Sequence, residues 1–193
     1  MRRKQRIFFL LNSRMNKQIV TFFDTTLRDG EQTPNVSFTQ AQKLTIAEAL
    51  DKLGVDVIEA GFPIASKGEY SAVKSIADAD LKTTICGLAR VLTSDIDACL
   101  NAGVELVHVF ASTSDVQLKH SMKKTRQEVY DLSVDAVEYV KDHGAKCLFS
   151  AMDATRTEME FLLRVCSGVE SAKGVKDPER IAAFIAGVQK ADG

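Results

Sequence analysis

Neither sign of charge is in excess: 25 Lys+Arg stand against 26 Asp+Glu in 193 residues, for a net charge of −1. A general nucleic-acid binder carries a basic surplus, so the balance argues against that class. Only three prolines and 11 glycines are present, which leaves little room for linkers or low-complexity sequence. The four cysteines, Cys86, Cys99, Cys147 and Cys166, are widely spaced, with no C-x-x-C and no paired histidine motif, so a zinc finger is disfavoured. Cys86 and Cys147 lie in apolar runs and read as small buried hydrophobes, which suits a reducing cytoplasm. The apolar run near the N-terminus, Ile7 to Leu11, is too short to span a bilayer and shorter than the core of a secretory signal. Residues 1–18 are therefore read as a leader outside the domain, with Met15 as an alternative start.

From Ile19 the chain becomes regular. The spacing predicts strands over IVTFFDTT, VDVIEAGF, TTICGLAR, VELVHVFAS and AKCLFSA. Between them it predicts helices over Thr39–Leu53, Ser66–Ala77, Ser94–Ala102 and Thr125–Asp142, then Thr155–Cys166 after the fifth strand. Thr39 reads as an N-cap and Gly54 as a stop, with Leu44, Ala47, Leu50 and Leu53 as the apolar stripe. A last helix is expected to open at Asp177-Pro178. Five strands alternating with five helices imply parallel strands and right-handed crossovers. The strands are apolar almost throughout, as when both faces are covered.

Two folds fit that order, an open doubly wound sheet and a (β/α)8 barrel. No G-x-G-x-x-G follows the first strand, which disfavours dinucleotide binding. Polar clusters sit instead at strand C-terminal ends: Asp24 to Gln32, Glu59, Arg90, Ser112 to Asp115 and Ser150 to Asp153. Barrel enzymes place their chemistry there, but a full barrel has eight units over about 250 residues. The expectation is a partial barrel of five to six units, residues 19–193, with the later strands missing. In the densest cluster, Asp24-Thr-Thr-Leu-Arg-Asp-Gly-Glu-Gln32, an arginine can clamp a carboxylate while the neighbouring aspartate can hold a hard cation. A solvated loop with a local Arg–Asp pair explains the same residues.

DTTLRDGEQTP resembles the first-strand signature of the isopropylmalate, homocitrate and citramalate synthase family. The likeness continues through LGVDVIEAGFP, ICGLAR, VHVFASTSDVQLKH and FSAMDATRT, from about Ile19 to Cys166. It implies a metal-dependent barrel that condenses acetyl-CoA, as cosubstrate, with a 2-keto acid. The isopropylmalate branch, with 2-ketoisovalerate as the acid and leucine biosynthesis as the setting, is favoured. By resemblance, Arg28 binds the keto acid and polarises its carbonyl, Asp29 is a ligand of zinc, manganese or magnesium, and Gln32, Glu59 and Arg90 line the same pocket.

Several positions depart from the family pattern. There is no His-x-His to complete a metal site; His108, His120 and His143 stand apart. His108 reads as a satisfied interior histidine, His120 as a loop residue for which a substrate role is not favoured, and His143 as a helix cap. Met152 stands at a usual Glu, Gln117 at a usual His and Asn35 at a usual Gly. The sixth strand reads as deleted after Ala172. Two hypotheses remain open: an acyltransferase relying on Arg28 and Asp29, or a truncated, inactive paralogue serving as a partner-binding half-barrel. A different α/β enzyme is a third. For each, self-association or pairing with a complementary half is expected, because open sheet edges recruit other chains.

Overall fold

A computed structural model describes residues 21–168. The expected leader, the expected helix at Pro178 and the expected loss of a sixth strand after Ala172 all fall on residues outside those described. Five strands form one parallel sheet in sequential order: β1 (Phe23–Asp24), β2 (Val57–Gly61), β3 (Thr84–Arg90), β4 (Leu106–Ser112) and β5 (Lys146–Met152). The connecting helices are α1 (Gln40–Leu53), α2 (Lys67–Ala77), α3 (Thr93–Ala102), the single turn α4 (Asp115–Gln117), α5 (Arg126–Asp142) and α6 (Met159–Gly168). A wide π turn, Leu118–Met122, follows α4. This sequential parallel order is that of a curled half of a (β/α)8 barrel, as the alternation predicts.

Helix boundaries follow local chemistry. Thr39 and Thr125 each form a capping box, with Gln42 and Glu128, and Ser66 caps α2. Gly54 and Gly103 end α1 and α3 in the left-handed conformation, where a glycine carries no Cβ penalty. His143 caps the end of α5, its Nδ1–H donating to the Tyr139 carbonyl at 2.8 Å, as its position before Gly144 predicts. Asn35 takes φ +68°, so it serves where a glycine is favoured by adopting the left-handed region itself.

Three details differ from the expectation. The first strand is only two residues long. The stripe of α1 is turned: Leu53 is 79% exposed, while Lys43 is 1% and Ala47 0% exposed. The helix expected from Thr155 starts later. Residues Ala154–Arg156 form a 3-10 turn, Thr157 is buried with its hydroxyl 2.6 Å from that of Thr113, and the Glu158 carboxylate accepts from the backbone of Glu160 and Phe161 to open α6.

The core lies between sheet and helices. Ile58, Ala60, Ile85, Ala89, Val107, Val109 and Ala111 project from the strands against Val73, Ile76, Ile96, Cys99, Val129 and Val140 of the helices. None of the four cysteines forms a disulfide, and burial pushes the Cys99 thiol up to about 12 and that of Cys147 up to about 11, so both behave as apolar groups. Alternate strand residues face the other way. On that side Phe23, Leu148 and Met152 are 36%, 37% and 42% exposed. None of the helices among the described residues is long and apolar enough to cross a membrane.

Gly61 ends β2 at φ +156°, and a Cβ there would lie 2.0 Å from Glu69 Oε1 and 3.0 Å from Val73 Cγ2. Glu69 has no freedom to yield, because its carboxylate holds the Phe62 N–H and the Lys43 ammonium. Gly61→Ala is therefore expected to cost about 1–3 kcal/mol, read from urea midpoints. An unchanged midpoint would show that the β2 terminus is looser than this packing requires.

Candidate active site

The segment Asp24–Gln32 leaves β1 and turns sharply. The Thr25 carbonyl accepts from the N–H groups of Arg28, Asp29 and Gly30 at 3.1, 2.8 and 3.1 Å, while Asp24 accepts from the Thr26 N–H and hydroxyl. Leu27, fully buried, pins the turn into the core. Arg28 is thereby thrown across the strand ends. Its Nε donates to Glu59 Oε2 at 2.6 Å and its Nη1 to Asp29 Oδ1 at 2.7 Å. The sequence-derived trio of Arg28, Asp29 and Glu59 is thus brought together.

Glu59 projects from β2 and is fully buried. Its second oxygen, Oε1, lies 2.6 Å from His108 Nδ1, and His108 Nε2 lies 2.7 Å from Ser150 Oγ. Phe23 meets the imidazole edge-on at 6.0 Å. Burial alone would raise the Glu59 carboxyl; hydrogen bonds from His108 and Arg28, with the guanidinium charge, outweigh it and hold the group below the usual glutamate range. A carboxylate with a depressed folded-state pKa stabilises the fold above its unfolded pKa, and that stability is lost as pH falls through the folded value. Glu59→Gln is therefore expected to show a shallower loss of stability in acid than the parent, measured by urea unfolding from pH 7 downward. Equal slopes would mean that Glu59 is not an ionised partner of Arg28.

A second buried ionic group supports the first. Lys43 Nζ, on the inner face of α1, lies 2.6 Å from Glu31 Oε2 and 2.7 Å from Glu69 Oε2, and donates to the Leu27 carbonyl at 3.3 Å. Glu31 in turn accepts from the Phe38 N–H. One ammonium thus joins the turn that carries Arg28 to α2 and, through Glu69 and the Phe62 N–H, to the end of β2 that carries Glu59.

The side chains of the remaining expected site residues are exposed or engaged by other partners. Arg90 stands at the end of β3, but its guanidinium forks onto the buried Asp95 carboxylate at 2.6 and 3.0 Å and lies over the Phe62 ring. Gln32 is exposed at the close of a 3-10 turn, its N–H bonded to the Asp29 carbonyl at 3.0 Å. His120 is exposed within the π turn. Met152, at the family's Glu position, is exposed at the end of β5. Asp153 next to it accepts from Ser114 and from Arg156, so its carboxylate does not substitute in the Glu59 cluster.

A metal does not fit the described residues as they stand. Among them no group of three or more His, Cys, Asp or Glu side chains is placed to hold one. Asp29 is engaged by Arg28, and both oxygens of Glu59 are taken. Metal sites of this kind usually need about three protein ligands.

His108 and Lys43 join this network although the residue pattern did not mark them as site residues, and Ser150 joins it from the polar run at the end of β5. His108 was legible only as a satisfied interior histidine, which it is, but its partner is the site's own carboxylate. For Lys43 a signal existed: it shares the i, i+4, i+7 face of Ala47 and Leu50 in α1.

The family model described as HMGL-like matches residues 19–184. A probable 2-isopropylmalate synthase of Methanosarcina mazei is 60% identical over 169 residues, covering 88% of this chain and 33% of that protein. The homocitrate synthase AksA of Methanopyrus kandleri is 48% identical over 181 residues, covering 89% of this chain and 46% of its own. The chain thus spans about a third to a half of the length of these relatives. Among solved structures, the HMG-CoA lyase of Bacillus subtilis superposes with a TM-score of 0.65 at 18% identity, over 78% of this chain and 54% of that one, a likeness of fold. With most of its length under one family model and a barrel-type fold to match, the chain belongs to the HMGL-like family.

Proposed function

We propose that this chain carries the keto-acid-binding half of an acyltransferase of the 2-isopropylmalate synthase type, condensing acetyl-CoA with a 2-keto acid, 2-ketoisovalerate being favoured, in leucine biosynthesis in the cytoplasm. The observation that carries the reading is Arg28, held at the strand ends by the buried Glu59 and by Asp29. A guanidinium has five N–H donors, and these two bonds leave three for a substrate. They suit a planar carboxylate and its adjacent carbonyl, where charge-assisted donors would fix the acid and stabilise negative charge as it grows on the keto oxygen. A divalent metal would add Lewis-acid polarisation of that carbonyl, but the described residues supply Asp29 alone, so no step is assigned to it.

The test is coenzyme A release, followed with a thiol reagent, from acetyl-CoA with 2-ketoisovalerate, 2-oxoglutarate or pyruvate. Release that depends on 2-ketoisovalerate supports the reading; its absence with every acid favours the second one. That second reading, an inactive paralogue acting through a partner, is favoured by Met152, a thioether where the resemblance places a glutamate.

Both readings share one expectation. In the described sheet β1 and β5 are paired on one side only, and Phe22, at 63% exposure, lies beside exposed Phe23. Open edges and apolar surface favour pairing with a second copy or a complementary half. Sedimentation velocity is expected to show dimers or larger species. A stable monomer at all concentrations would overturn this.

A further inference from the structure

Glu59, His108 and Ser150 come from three strands, β2, β4 and β5, yet their polar atoms form one continuous chain of 2.6 and 2.7 Å contacts. The curl of the sheet makes this possible. Between β2 and β4, β3 presents Cys86 opposite Glu59 in register, a side chain small enough to let the longer neighbours meet above it. Glu59 is fully buried and His108 is 12% exposed, so the chain sits in a site of low dielectric.

The direction of the hydrogen bonds follows from Glu59. An ionised carboxylate only accepts, so His108 Nδ1 bears the proton and donates to it. A neutral ring then has its lone pair on Nε2, facing the Ser150 hydroxyl. Arg28, bonded to the other oxygen, keeps Glu59 charged and fixed. Phe23 packs against the imidazole and holds its plane. Ser150 is half-buried on the strand face that the helices leave uncovered, with Leu148 and Met152, both exposed, two positions away on either side.

We propose that Glu59–His108–Ser150 is a nucleophilic triad that accepts acyl groups from esters and thioesters on Ser150 Oγ. Ser150 Oγ attacks the acyl carbonyl while its proton passes to His108 Nε2. The Oγ–C bond forms, the C–S or C–O bond of the leaving group breaks, and His108 returns the proton to the departing thiolate or alkoxide. Water then attacks the acyl-serine, gives a proton to His108, and frees Ser150 as that proton returns to Oγ. The net change is ester or thioester plus water to acid plus thiol or alcohol, with no oxidant, metal or keto acid.

The proposal does not rest on the acyltransferase reading. The probe is a fluorophosphonate, whose phosphorus takes the place of the acyl carbon as fluoride leaves. Incubated with the full chain, it is expected to modify Ser150, located by peptide mass mapping. His108→Gln is expected to slow modification by at least about 100-fold, the usual worth of a positioned general base. Ser150→Ala is expected to abolish it at that peptide, with circular dichroism checking the fold of each variant. An unmodified Ser150 in the folded parent overturns the triad, as does modification at a rate that a folded His108→Gln leaves unchanged. Labelling without keto-acid-dependent coenzyme A release would leave the triad standing and remove the synthase reading; the converse pair of results would do the opposite.

Discussion

Replacing Lys43 with methionine is expected to cost about 3–5 kcal/mol, the range for removing one member of a buried ionic group. The size follows from what is left behind. The ammonium is 2% exposed and faces two carboxylates, Glu31 and Glu69, at 2.6 and 2.7 Å. Without it, two negative charges share a largely desolvated space and the Leu27 carbonyl loses its donor. Burial by itself raises the Glu31 carboxyl, and the bond and charge of Lys43 are among the effects that bring it below the usual range. Methionine keeps the shape of the stem, so the loss reports charge rather than volume. The check is a urea midpoint at pH 7. The double variant Lys43→Met/Glu69→Gln should recover part of the deficit by removing one orphaned charge. A single-variant loss below about 1 kcal/mol, the range of a surface pair, would contradict a buried role.

Arg28→Leu is expected to cost about 3 kcal/mol, the low end for breaking a buried pair because Arg28 keeps some solvent contact. It strips the buried Glu59 of one of two partners and leaves Asp29 facing solvent alone. Its pH dependence has a definite sign. In the parent, Glu59 stabilises the fold while ionised, and this contribution fades as pH falls through its depressed folded-state pKa. In the variant the desolvated carboxylate has less to hold it ionised, so protonation relieves it. The stability gap between parent and variant should therefore narrow in acid. Parallel curves from pH 7 into the carboxylate range would contradict the Arg28–Glu59 pairing. Lysine at this position should restore charge but not the forked geometry, and so only part of the function.

Much of this was legible in the residues because the signals were local. Thr39, Thr125, Gly54 and Gly103 mark helix ends by their own chemistry, and they hold in the structure. The grouping of Arg28, Asp29 and Glu59 comes from the family resemblance, and the parallel βα order is what puts the strand ends that carry them side by side. What depended on the curl of the sheet was not legible. Contact between His108 of β4 and Glu59 of β2 crosses an intervening strand, which no spacing rule encodes. Arg90 at a strand end does not by itself reveal that Asp95, five residues on, takes up its guanidinium. Of the apolar stripe of α1, Leu44, Ala47 and Leu50 pack on the core and Leu53 does not; the added inward residue is Lys43, whose burial two carboxylates from separate segments make tolerable. The late start of α6 turned on Thr157, whose hydroxyl partner Thr113 lies far away in sequence.

The central claim is that Arg28, braced by Glu59, is a receptor for a 2-keto acid. It is tested most directly by titrating 2-ketoisovalerate into the full chain in a calorimeter, with manganese, magnesium or zinc present and absent, beside Arg28→Lys. Saturable binding near one per site, weakened about tenfold or more by Arg28→Lys and unchanged by added metal, is the predicted result; each factor of ten is about 1.4 kcal/mol of lost donor geometry. No binding at millimolar acid, with or without metal, or equal binding by the variant, would contradict it and leave a member of the HMGL-like family that keeps the Arg28–Glu59 scaffold without the substrate.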